Sequence, residues 1–227
     1  MQRIFDVFFS ATALILLSPV LLPLMFILRV TGEGEIFFPQ SRVGLGGKHF
    51  KLYKFATMLK DSPNMGTGTV TVKNDPRILP MGAFLRKTKI NELPQLINIL
   101  NGDMSVIGPR PQTQRCFDAF PKIAQNYIIK VRPGLSGIGS VVFRNEENMM
   151  HANADPDRLY DELIMPYKGK LESWYVRNNS VWNYALLITL TIFVILTRST
   201  YFIFWCYPFL PRPPEALRSF ISSDYYE

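Results

Sequence analysis

The chain has 227 residues, enough for one substantial soluble domain plus membrane-associated segments, and it carries no internal repeat. Its formal charge of +7 and pI of about 9.4 suit nucleic acid and an anionic membrane surface equally, so other features must choose between them. Cys116 and Cys206 stand far apart with no CxxC pair, and His49 and His151 are isolated, which weighs against a disulfide framework, a zinc site or a Ser or Cys triad.

Val7 to Leu28 is apolar or small and uncharged over 22 residues. At about 1.5 Å per residue it can cross the hydrocarbon core of a bilayer. Ser18-Pro19 interrupts it near the middle and Pro23 follows, so a broken helix is expected, since proline removes a hydrogen bond and bends the axis. Two membrane readings stand: a crossing helix, or a bend that returns the chain and leaves Arg3 and Arg29 on one face. A cleaved signal peptide fits less well, because no small-residue cleavage site follows.

Gly32 to Gly47 holds five glycines and includes Phe37-Phe38-Pro39-Gln40-Ser41-Arg42, an aromatic and basic run suited to a headgroup interface, where the soluble domain begins. Gly44 and Gly46-Gly47 allow tight turns before Lys48 without making a P-loop. Phe50 to Leu59 is expected to enter extended and turn helical. Val70-Thr71-Val72 is β-prone, and Asn74-Asp75-Pro76 forms a turn.

Arg86 to Pro111 crowds acidic, basic and turn-forming residues around one short helix. Ile90, Leu93, Leu96, Ile97 and Leu100 recur at helical spacing. Asn91 is expected to cap the helix, with Pro94 in the first turn and Asn101-Gly102 at the end. Val106-Ile107 reads as a buried strand. Singly, Glu92 could merely complement a helix dipole, and the basic residues could be solvated. Jointly, Glu92 at the start of the helix, Asp103 after it and arginines on both sides, beside Pro94, Pro109 and Pro111, suit phosphate and a divalent cation.

Residues 112–130 are expected to form one or two helical pieces interrupted before Pro121. Val131 to Gly137 reads as a rigid loop in which Arg132 contacts phosphate or makes a surface ion pair. Asp157 to Met165 is a short helix bounded by Pro156 and Pro166. Val181 to Leu196 is strongly apolar and is followed by an aromatic run at 199–210; an interfacial helix, a second crossing and a core helix are all open.

These residues together resemble the monotopic bacterial phosphoglycosyl transferases, also called initiating sugar transferases or polyprenyl-phosphate hexose-1-phosphate transferases. The resemblance runs from Arg3 to Thr197 and rests most on Glu92-Leu93-Pro94-Gln95, Asn98, Gly102-Asp103-Met104-Ser105, Gly108-Pro109-Arg110-Pro111 and Arg132-Pro133-Gly134-Leu135-Ser136-Gly137. Gln40, Arg42 and Gly44, then Lys54-Phe55 and Thr57-Met58, add to it. It implies an α/β protein, with a small mixed catalytic core, a re-entrant N-terminal helix broken at Ser18-Pro19, and interfacial helices. The corresponding divisions are a membrane helix at 1–30, a cytoplasmic core at 31–180, a membrane-associated helix at 181–210 and a polar tail at 211–227.

The resemblance further implies transfer of a sugar-1-phosphate from a UDP-sugar to polyprenyl phosphate at the bacterial inner membrane, with Mg²⁺ as cofactor. In the family an Asp attacks the β-phosphorus and the adjacent Glu helps hold the metal. Glu92 matches the Glu, whereas position 91 is Asn, whose neutral amide is a poor nucleophile. Glu92 or Asp103 could attack instead, and either could hold metal. Ala56 also departs from the family, which often has Arg there. Arg86, Arg110, Arg132 and Lys48 remain as donor and phosphate contacts. A catalytically silent UDP-sugar-binding protein is the alternative that Asn91 raises. A basic nucleic-acid-binding protein leaves the apolar segments unexplained, so no nucleic-acid partner is expected. The sugar, the glycan pathway and pairing as a homodimer are open at this level.

Overall fold

A computed structural model of the chain describes residues 1–65, 75–144, 146–151, 155–197 and 199–221. The β-prone stretch at 70–72 and Asn74 lie outside the described residues. The chain forms two units: Phe5–Ser41 with Lys51–Gly102, and Met1–Ile4 with Arg42–Phe50 and Asp103–Glu227. They are called here the Asn91 unit and the Arg110 unit.

The Asn91 unit is dominated by α1 (Gln2–Val30), which carries Pro19 and Pro23 inside one unbroken helical run rather than two pieces. The Ser18 hydroxyl donates to the Ile15 carbonyl at 2.7 Å, so local side-chain bonding accompanies the proline step. Leu21, Leu24 and Leu28 bury one face against Phe55 and Leu85, while Ile15, Leu16, Leu22 and Phe26 are exposed. By length and composition, α1 is long and apolar enough to cross a membrane.

Strands β1 (Phe37–Val43) and β2 (His49–Phe55) pair with each other. The Phe37 ring stacks on Phe55 at 5.7 Å and fixes the end of the pair against the α1 core. The extended half of the reading at 50–59 holds, but no helix follows: Met58 bridges to Ile78 instead, and the carbonyl of Thr57 accepts from the Leu79 N–H at 3.0 Å. Asp75 and Arg77 make a buried ion pair at 2.6 Å, and Arg77 also donates to the carbonyls of Ser62 and Met65, tying down the chain on both sides of 66–74.

Helix α2 (Pro80–Lys87) starts on a proline, where a missing N–H is harmless, and passes its Gly82 against Thr57. The chain then turns through Lys89, whose φ of 60° is left-handed, into a 3₁₀ turn at Ile90–Glu92. Helix α3 (Gln95–Asn101) begins only after Pro94, so Asn91 is inside the turn and does not cap the helix. Gly102, at φ 91°, closes α3 as expected, a conformation that favours glycine. Leu96 is buried, and Ile90 and Leu93 pack against the core, as the apolar stripe predicts, but Ile97 and Leu100 are only half-buried, while Gln95, Asn98 and Ile99 are buried. Asn98 accepts the Tyr53 N–H at 2.9 Å and donates to the Lys51 carbonyl at 2.8 Å. A polar residue here does the work of a strand edge for β2.

In the Arg110 unit, β3 (Ser105–Ile107) pairs in parallel with β4 (Gly134–Ser136), in the register Ser105 to Gly134 and Ile107 to Ser136. Three residues of the expected loop at 131–137 are therefore strand. The crossover contains α4 (Gln114–Asp118) and α5 (Lys122–Ile128), the two pieces expected around Pro121, with Thr113 capping the first. After α6 (Ile138–Val142), α7 (Glu146–His151) and α8 (Pro156–Leu159), a π-helical turn at Tyr160–Ile164 runs into α9 (Met165–Arg177). Pro166 consequently does not end a helix. It falls in the first turn of α9, where the wider π turn absorbs the missing hydrogen bond.

Helix α10 (Val181–Thr197) buries Tyr184, Leu187, Leu190 and Val194 in the unit's main core and leaves Trp182, Ile192, Ile195 and Leu196 exposed, Trp182 by 85%. It is a core helix on one face and an open apolar surface on the other. Helices α11 (Tyr201–Cys206) and α12 (Glu215–Ile221) add Ile203, Phe204, Leu217 and Ile221 to the same core, while Trp205 and Phe209 stay exposed.

Candidate active site

In the Asn91 unit the 3₁₀ turn sets Asn91 and Glu92 side by side with different surroundings. Asn91 is 8% exposed, and its Oδ1 is buried with no protein donor on it among the described residues. Glu92 is half-buried and accepts from Lys54 Nζ at 3.1 Å. That pair joins the Lys54-Phe55 run of β2 to the turn, so a cation neutralises the carboxylate that follows position 91. Arg86, from the last turn of α2, lies at 3.4 Å from the Met58 sulfur through Nη1. Ser18 and Pro19 are in the middle of α1.

Lys48, Asp103, Arg110 and Arg132 belong to the Arg110 unit. Here two loops meet backbone to backbone. Gly108 N–H donates to the Ser136 carbonyl at 2.9 Å, Gly134 N–H to the Pro109 carbonyl at 2.8 Å, and Ser105 N–H to the Pro133 carbonyl at 2.9 Å. The Gly108-Pro109-Arg110-Pro111 and Arg132-Pro133-Gly134 segments, each carrying an arginine, are thereby held as neighbours. Close approach explains the glycines: a Cβ on Gly134 would stand 2.1 Å from the Gly108 nitrogen, and one on Gly137 would stand 2.1 Å from the Gly108 oxygen. Lys48 is exposed at the foot of the β1–β2 turn, where its carbonyl accepts from Gly44 N–H at 2.8 Å. A small cleft beside Arg110 is walled by Val43, Pro109, Phe117, Ile128 and Val131.

One residue that the sequence reading passed over lies beneath this loop. Glu172 of α9 is 1% exposed and accepts from the backbone N–H groups of Arg110 and Gly139. Burial pushes its pKa up to about 8, against the opposing pull of Lys168 and Arg110. In sequence, Lys168 and Glu172 look like an ordinary i,i+4 surface pair, and nothing in that spacing signals a buried carboxyl whose partners are backbone groups far along the chain.

The family model described as bacterial sugar transferase matches residues 1–198. The chain belongs to that family. An Aeromonas hydrophila UDP-N-acetylgalactosamine-undecaprenyl-phosphate N-acetylgalactosaminephosphotransferase is 34% identical over 198 residues, 86% of this chain and 44% of that protein. The UDP-glucose:undecaprenyl-phosphate glucose-1-phosphate transferase of Escherichia coli (strain K12) is 32% identical over 196 residues, 85% of this chain and 39% of that protein. Exopolysaccharide production protein PSS of Rhizobium leguminosarum bv. phaseoli is 38% identical over 148 residues, 62% of this chain and 73% of that protein. The chain thus spans about two fifths of the length of the first two relatives. The resemblance read from the Glu92 to Gly137 motifs is to this same bacterial sugar transferase family.

Proposed function

We propose that this bacterial sugar transferase moves a sugar-1-phosphate from a UDP-sugar to polyprenyl phosphate, in bacteria undecaprenyl phosphate, and so initiates glycoconjugate synthesis. The acceptor's phosphate receives the β-phosphorus of the donor, the α–β phosphoanhydride breaks, and UMP leaves. The observation that carries this reading is the match over 85–86% of the chain to two proteins named for that reaction on undecaprenyl phosphate. Nothing in the comparisons favours the silent reading.

The chemistry of the residues agrees. Arg110 and Arg132 offer paired donors for a diphosphate, with Arg86 and Lys48 as further cations. The Glu92 carboxylate is a hard oxygen donor of the kind Mg²⁺ takes and would hold the cation there. Asp103 is a further carboxylate for that role. When bound, Mg²⁺ neutralises diphosphate charge and makes the β-phosphorus more electrophilic. Glu92 would hold the metal, and Lys54, paired with it, would limit the surplus negative charge there.

Donor affinity, measured by calorimetry in lipid discs, is expected to fall about tenfold without Mg²⁺ and by a similar factor on Glu92→Gln. Equal affinity with and without Mg²⁺, unaffected by that substitution, would remove Glu92 from the metal role.

The division into a membrane helix at 1–30, a core at 31–180 and a membrane-associated helix at 181–210 belongs to the same proposal. So does a re-entrant α1 at the inner membrane, with the core facing the cytoplasm. The exposed apolar face of α1 and the prolines at its centre support it. Cysteines placed by Arg3→Cys and Thr31→Cys, with Cys116→Ser and Cys206→Ser, are expected to label only from the cytoplasmic side. Labelling of position 3 from the periplasm would establish a crossing helix instead.

A further inference from the structure

Glu172 is a buried carboxyl that the transfer reaction, as written above, does not use. Its surroundings are specific. The carboxyl sits where any side chain on Gly139 would have to go, since a Cβ there would fall on Oε1. It receives the N–H of Gly139 at the start of α6 and the N–H of Arg110 in the Gly108–Pro111 loop, while Oε2 is buried with no protein partner among the described residues. One turn earlier on α9, Lys168 is also buried, but its Nζ is bound to Glu146 Oε2 of α7 at 2.7 Å and lies over the Phe143 ring. On the same face, one turn later, the Tyr175 hydroxyl donates to the Ile107 carbonyl at 3.3 Å. Helix α9 therefore grips the stretch from Ile107 to Arg110 at both ends, through Tyr175 at the strand and Glu172 at the loop.

We propose that Glu172 is a positioning residue for donor binding: it clamps the backbone of Arg110 to that of Gly139 and thereby fixes the direction in which the Arg110 guanidinium meets the diphosphate. The reason is geometric. A guanidinium on a loose loop loses the paired hydrogen bonds that a diphosphate offers, and a buried acceptor shared by two N–H groups removes that freedom without touching substrate. Only the acceptor is required, so an uncharged side chain of the same shape suffices. An apolar side chain of similar volume keeps the packing but leaves two buried N–H groups unsatisfied.

The inference rests on the transferase reading, and the experiment separates the two. UDP-sugar affinity in the presence of Mg²⁺ is measured by calorimetry for the full chain, Glu172→Gln, Glu172→Met, Arg110→Ala and the Glu172→Met/Arg110→Ala pair. Glu172→Gln is expected to bind within about twofold of the unaltered chain and Glu172→Met about tenfold more weakly, the latter loss disappearing when Arg110 is already Ala. If Glu172→Met yields no folded protein, Gly139→Ala dislodges the carboxyl from the other side and enters the same cycle. A loss of equal size with and without the Arg110 side chain is a general structural effect and overturns the positioning role, as does unchanged affinity in Glu172→Met. Failure of the unaltered chain to bind any UDP-sugar overturns the transferase reading itself, and this inference with it.

Discussion

Asn91→Asp is expected to raise sugar-1-phosphate transfer by about three orders of magnitude, because it restores a carboxylate oxygen able to attack phosphorus at the position where the resembled family carries its Asp. Asn91 is buried in a 3₁₀ turn set by Lys89 and continued by Pro94, so its backbone has little freedom to change with a substitution that alters one atom. Among the described residues its Oδ1 has no protein donor, but the amide is neutral and a poor nucleophile. Glu92 beside it is held by Lys54, which limits the repulsion that a second carboxylate would meet. The assay is UMP release from several UDP-sugars with polyprenyl phosphate and Mg²⁺, with intact mass followed for a sugar-phosphate adduct. Robust turnover by the unaltered chain would show that another carboxylate attacks, and mapping the adduct would decide between Glu92 and Asp103. Donor binding by both proteins with no UMP from either would establish a silent binder.

Gly134→Ala should be the most damaging single methyl group in the Arg110 unit. The added Cβ would meet the Gly108 nitrogen at 2.1 Å, the Ser136 oxygen at 2.4 Å and the Gly108 oxygen at 2.5 Å. These are backbone atoms of the strand pair itself and cannot rotate away. The pair must separate or the unit must give up the register of Ser105 to Gly134, at a cost of about 3 kcal/mol or more. Gly46→Ala is the control: no atom lies within 4 Å of its Cβ, so only the positive φ is strained, at about 1 kcal/mol. Thermal unfolding in detergent compares them. A melting temperature for Gly134→Ala equal to that of Gly46→Ala would contradict the close approach of the two loops.

What the sequence disclosed depended on how local the cause was. The apolar runs of α1 and α10 and the break before Pro121 are written in neighbouring residues, and they were legible. Asn91 was misplaced as a cap because capping preference is also local, whereas the turn around it follows from a left-handed Lys89 that no propensity favours. Pro166 misled in the same way: proline stops a helix unless a π turn precedes it. The buried polar residues were least visible. Asn98 satisfies backbone groups of β2, and Glu172 satisfies those of Arg110 and Gly139, so in each case the partner is a main-chain group with no signature in the side-chain pattern. The motifs around Glu92, Arg110 and Arg132 are contiguous and readable in the sequence, whereas the contact of Glu172 with the Arg110 backbone is not.

The order in which the chain visits its two units constrains how such a protein can be rebuilt. It changes unit between residues 4 and 5, 41 and 42, 50 and 51, and 102 and 103, so neither unit is a contiguous stretch of the gene. A single splice between two related genes anywhere from residue 5 to residue 102 would therefore join pieces of cores that never evolved together. Position 91 and Glu92 cannot be shuffled as a cassette in the way that consecutive modules can.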